Sequence, residues 1–268
     1  MKRIFITSFI LFCFYTNIQS TEKWLTKKVL FYNVNYTNAD IKNIKNIINF
    51  IVQFDKKMKS VLNTDRYNIS FEDSKVELFL YPKDSKEIEL YRTSGEGSTV
   101  RKNNKEIYNG TFKLQGIEVY PEKNYFYKQF ASGLAGIYLH LLCSVNDISY
   151  SNLEGWFRQG IKDYLSIYYS TDYWKNEGYK TYLKRLITDP DGIKTNLKLL
   201  IKNDYRDGFL MICMLNDIYG FEKIIELLLY KDNSFEKKVK NVLKLDFKKF
   251  LQQIDKWKKD TGKLVEKY

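Results

Sequence analysis

The chain has 268 residues, a formal net charge of +12 from 44 Lys and Arg against 32 Asp and Glu, and one histidine. A single imidazole excludes any metal centre that needs two of them from the same chain. The charge invites a nucleic-acid or anionic-surface partner. The lysines are interleaved with acids, however, and Arg101-Lys102-Asn103-Asn104-Lys105 is the one compact basic patch outside the expected helices. No nucleic-acid-binding motif accompanies it, so no nucleic-acid partner is expected.

Residues 1–20 read as a secretory signal peptide. Lys2 and Arg3 open it, an apolar run follows from Ile4 to about Tyr15, and Ile18-Gln19-Ser20 is a tolerable cleavage site. The run is shorter than the roughly 20 residues that cross a bilayer, and no later segment is longer and as apolar, so no stable membrane span is expected. Loss of the two basic residues would lower the charge from +12 to +10. Secretion makes a Cys143–Cys213 disulfide and two free core thiols equally open readings. It also makes the sequons at Asn35, Asn68 and Asn109 surface glycan candidates.

Next comes an N-terminal α/β part, residues 21–124. Residues 28–36 read as a strand. Asn38-Ala39-Asp40 then caps a helix to about Leu62, with Ile41, Ile44, Ile48, Ile51, Val52 and Met58 near the 3.6-residue period. Strands are expected over 67–71 and 76–81, the latter ending at Pro82. A short helix is expected over 84–91, a polar loop over 94–104, and a strand over 111–120 broken at Gly116. From Tyr125 the period is helical. Helices are expected over 126–143, 152–169, 173–187, 195–203, 209–219, 221–230, 234–242 and 247–259, with Gly220 as a stop signal. Residues 125–268 thus form a helical part, and strands leading helices give an α+β class.

Two segments carry a resemblance. Trp156-Phe157-Arg158-Gln159-Gly160-Ile161-Lys162-Asp163-Tyr164-Leu165 resembles the Trp-x-x-Glu-Gly-x-x-Glu-Tyr helix of gluzincin metallopeptidases. Upstream, Ser132-Gly133-Leu134-Ala135-Gly136 stands where that family carries His-Glu-x-x-His. The resemblance implies a zincin-like fold of collagenase-like type, a mixed sheet with a helix followed by a mainly helical subdomain, over about residues 28–259. It places Ser132 and Gly136 at the two histidine positions, Gly133 at the general base, Gln159 at the third ligand and Asp163 at the second acid.

Serine and glycine offer zinc no comparable ligand, Gln159 carries no charge, and Gly133 cannot take a proton from a metal-bound water. All four positions fail together. The expectation is therefore a pseudo-peptidase with no catalytic residue, metal or cofactor, whose vestigial cleft binds an extracellular peptide or protein. His140, Trp156, Asp163 and Tyr164 are its candidate cleft or supporting residues, although packing or backbone hydrogen bonding is the commoner role for each of them.

Gly133 and Gly136, poor helix formers by about 1 kcal/mol each, would admit a neighbouring helix or leave a cleft. Ser132 and His140 are eight residues apart on one helix, about 12 Å by helix rise, too far for a nucleophile–base hydrogen bond. In active members an edge strand pairs with extended substrate, and residues 113–120 are the expected edge, so β-addition is the implied binding mode. A metal-independent hydrolase using carboxylates and a basic surface-binding protein are the alternatives. Oligomeric state is not legible.

Overall fold

The computed structural model describes residues 23–180, 184 and 205–265, except 68, 70, 72, 91, 103, 104 and 233. The expected signal peptide (1–20), the expected helix over 195–203 and most of that over 173–187 lie outside the described residues.

The strand expected over 28–36 is a hairpin. Strand β1 (Leu25–Val29) pairs antiparallel with β2 (Tyr32–Tyr36), Val29 opposite Tyr32. Leu30 makes the turn at φ 51°, a conformation rare for a non-glycine residue. The helix cap expected at Asn38-Ala39-Asp40 is instead a 3-10 turn, and α1 (Ile44–Val61) starts later. Asp40 faces inward, where its Oδ1 accepts the Ile117 amide at 3.0 Å rather than capping a helix. Ile47, Ile51, Phe54 and Met58 then form the buried stripe of α1.

The strand expected over 67–71 is turn and irregular chain among the described residues. Phe71 nonetheless joins the core, stacked on Phe31 at 4.5 Å. Strand β3 (Lys75–Tyr81) buries Val76, Leu78 and Leu80 in strict alternation. Among the described residues, the helix expected over 84–91 is a run of turns and bends. The loop expected over 94–104 is largely strand β4 (Thr93–Lys102), which hairpins into β5 (Lys105–Gln115).

The five strands lie in the order β1-β2-β3-β5-β4. The β2–β3 and β3–β5 pairs are parallel, and both outer strands are antiparallel to their neighbours. Helix α1 makes the crossover that a parallel β2–β3 pair requires. The expectation of an edge at 113–120 is therefore corrected. β5 is interior, and past Gln115 the chain leaves the sheet through Gly116 into a 3-10 turn, Ile117–Val119. The edge is β4, exposed along nearly its whole length. It escapes a hydrophobicity reading because neither face buries an alternating apolar set.

Helix α2 (Lys123–Val145) packs on the sheet and is buried on most sides. It is followed by α3 (Gly155–Tyr169), a π-helical turn at Trp174–Gly178, α4 (Tyr205–Tyr219), α5 (Phe221–Leu229), α6 (Phe235–Val242) and α7 (Phe247–Val265). Helices α3 and α4 touch at Gly160 and Gly208, where a methyl group on either would run into the other's backbone region. Gly220, at φ 80°, separates α4 from α5, and the Ser234 hydroxyl caps α6 by accepting the Lys237 amide.

The molecule is thus α+β, with strands leading helices, and one hydrophobic core joins sheet and helices. Among the described residues no helix is long and apolar enough to cross a membrane. Cys143 and Cys213 are free and buried, in α2 and α4.

Candidate functional site

The α2–α3 crossing brings together part of the residue set singled out from sequence. Gly133 faces the sheet, and the Phe112 ring of β5 fills the space a side chain there would need. Gly136 faces α3. A Cβ at Gly136 would stand 3.4 Å from Lys162 Cε and 3.6 Å from its Cδ, so the lysine stem lies over the bare helix backbone. The two glycines therefore leave no open cleft; a ring enters from one side and a lysine from the other.

The Lys162 ammonium donates to Gln159 Oε1 at 3.4 Å, and Gln159 Nε2 donates to Asp163 Oδ1 at 3.1 Å. Burial lowers the Lys162 pKa, opposed by the charge of Asp163. Burial raises that of Asp163, opposed by Lys128, Lys162 and the Gln159 hydrogen bond. The crossing is a partly enclosed ammonium–amide–carboxylate chain that balances its own charge. Among the described residues no group of three or more His, Cys, Asp or Glu side chains is placed to hold a metal ion.

Ser132 is buried on α2. Trp156 is buried and meets Phe235 edge-on at 4.7 Å. Tyr164 is buried and stacks on Tyr168 at 4.4 Å and on Phe221 at 5.5 Å. These two aromatics are core packing.

His140 stands further along α2, between Tyr108 (edge-on, 5.3 Å) and Tyr150 (stacked, 5.5 Å). Burial lowers its pKa, so the ring is neutral at pH 7. It lines a cleft of about 660 Å³ under the edge of the sheet, between β4, the end of α2, residues 148–151 and the first turns of α3. From β4 the lining residues are Gly97, Thr99 and Arg101, every second position, as one face of a strand must be. The Ser144 hydroxyl of α2 donates to the Glu106 carboxylate at 3.0 Å and can accept from the Thr99 hydroxyl at 2.7 Å, fastening the hairpin to the helix.

Two guanidinium groups line this cleft, in contrasting states. Arg101 is engaged by Glu106 at 2.6 Å and by Asp147 at 3.0 Å. Lys231 adds to Asp147 at 3.6 Å. Arg158 donates through Nη1 to the Tyr150 and Ser151 carbonyls, both at 3.4 Å, and lies 5.5 Å over the Tyr150 ring. It pairs with no carboxylate among the described residues. The Tyr150 hydroxyl is buried without a hydrogen-bond partner among the described residues, and burial keeps it firmly protonated.

In the sequence, Arg158 and Lys162 fall at positions of the helix segment to which no role attaches, and nothing singles out Phe112. The 3.6-residue period places Gln159 and Lys162 on one face of α3, but nothing local says that the opposite helix has a bare backbone there. Compared with models of known protein families and with curated protein sequences, the chain matches none.

Proposed function

We propose that this chain is a secreted, catalytically inactive relative of gluzincin metallopeptidases, with a zincin-like fold, that binds an extended peptide or protein segment by adding it as a strand to β4. The observation that carries the reading is the placement of β4. It is the outer, antiparallel strand of a mixed sheet, it runs beside the helix that bears Ser132, Gly133 and Gly136, and its inner face opens into the cleft.

Outer strands usually carry lysine, proline or inward charges that discourage pairing. β1, at the other edge, has Lys27 and Lys28 among its five residues. From Thr93 to Val100, β4 has no lysine, arginine or proline and a single acid, Glu96. Every second N–H and C=O along it points away from β5 and can pair with an incoming chain.

The chemistry of the crossing supports binding without turnover. A lysine ammonium bonded to Gln159, which in turn holds Asp163, supplies positive charge near the positions that the resemblance gives to metal ligands. It cannot activate a water as a metal does, and Gly133 supplies no base.

The reading is tested with a capped peptide library of ten residues, the length of β4. Binding is expected for wild type, and its loss is expected in Thr99→Pro and with peptides N-methylated at alternate residues, without any cleavage. Binding untouched by both changes would overturn strand addition.

A further inference from the structure

Resting on strand addition at β4, we infer that the cleft selects an acidic side chain of the added segment, with Arg158 as its counter-charge. A strand paired with β4 alternates as β4 does, so every second side chain of it is carried over the cleft that Gly97, Thr99 and Arg101 line. The carboxylates already there, Glu106 and Asp147, are taken up by Arg101 and Lys231. His140 is neutral at pH 7 because burial lowers its pKa. The charge left to meet a ligand is that of Arg158.

Its geometry suits a carboxylate. The guanidinium has five N–H donors, and its two hydrogen bonds leave through one nitrogen, Nη1, to backbone carbonyls. Stacking on Tyr150 fixes the plane of the fork. Two parallel N–H groups on a fixed plane match a carboxylate in bidentate fashion, which a lysine would not. β4 extends beyond Gly97 and Arg101 at both ends, from Thr93 to Lys102. The added chain therefore runs through, and the group it presents is a Glu or Asp side chain within an extended segment, not a chain terminus. The basic balance of the chain, +12 in full and +10 without residues 1–20, favours such a segment.

The test uses the full chain and two acetylated, amidated Thr/Val peptides of ten residues, the length of β4, differing only in a central Glu or Gln. Wild type is expected to prefer the Glu peptide by about tenfold at low salt, the preference shrinking as salt is raised. Arg158→Gln should bind both peptides alike. Arg158→Lys, which keeps the charge without the fork, should retain part of the preference. Equal binding of the two peptides by wild type, or a preference that survives in Arg158→Gln, would overturn the inference. The two readings fail separately. Equal binding that N-methylation abolishes keeps strand addition and removes the carboxylate, whereas a Glu preference that survives N-methylation keeps the carboxylate site and removes strand addition.

Discussion

The ring of Phe112, on the central part of the sheet, sits where the side chain of residue 133 would begin, so Gly133 of α2 is the counterpart of a phenylalanine and not of a ligand. Glycine costs a helix interior about 1 kcal/mol relative to alanine, and here the bare backbone lets β5 and α2 close on each other. A glutamate at this position would collide with the Phe112 ring, so the core packing excludes a large side chain at 133.

Gly133→Ala is accordingly expected to destabilise the fold by about 1–3 kcal/mol through overpacking, seen as a lower urea midpoint with an unchanged slope. In a Phe112→Ala background the sign should reverse. With the ring gone, the same Gly133→Ala change regains helix propensity and fills part of the space, adding up to about 1 kcal/mol. Equal effects in the two backgrounds would mean the ring and the glycine are not coupled.

Asp40 gives a pH dependence with a definite sign. Burial, reinforced by the charge of Glu118 and opposed by the Ile117 amide, raises its pKa from 3.8 to about 6. The folded state therefore holds the Asp40 proton more tightly than the unfolded chain. Its contribution is most favourable below the unfolded pKa of 3.8, is lost as pH rises through about 6, and is flat above. Urea melts of wild type and Asp40→Asn between these limits should show wild type losing up to about 3 kcal/mol relative to the variant. A difference that does not change with pH would remove the raised pKa.

What was legible in the sequence was whatever has a one-sided apolar pattern. Helices α1, α3 and α7 and strand β3 each bury one stripe or one face, and their periodicity survives in a single sequence. Helix α2 was readable from length and apolar content because it is buried on most sides. β4 was not, since a polar strand exposed on both faces has the composition of a loop and is made a strand only by its pairing with β5. The Leu30 turn carries no glycine, asparagine or proline, so the β1–β2 hairpin looked like one strand. At the site, the sequence located the helix pair through the Trp156-to-Leu165 segment. The occupants, Phe112 and Lys162, depend on which faces meet, and that is a tertiary fact.

Tyr138 of α2 donates its hydroxyl to the carboxylate of Asp55 on α1, deep in the core, and Lys59 pairs with the same carboxylate at 2.9 Å. A hydrogen bond to a charged group is worth about 1.5–3 kcal/mol, and breaking it strands the buried acceptor. Tyr138→Phe should lower stability by about that amount, whereas Tyr138→Phe with Asp55→Asn should lose less than the sum of the single changes, as a double-mutant cycle in urea would report.

The two core thiols bear on the compartment question without depending on it. Burial pushes Cys143 up to about 12, with Lys238 opposing, and Cys213 well above the ordinary thiol range. Thiolate is the reactive form, so neither residue should be alkylated by iodoacetamide at pH 8 in the folded protein, and both should react once it is unfolded in urea. Mass spectrometry of protein secreted through an oxidising compartment should find Cys143 and Cys213 still reduced, since α2 and α4 bury them as separate free thiols. Recovery of a Cys143–Cys213 peptide pair from non-reduced protein would require those helices to sit differently against each other.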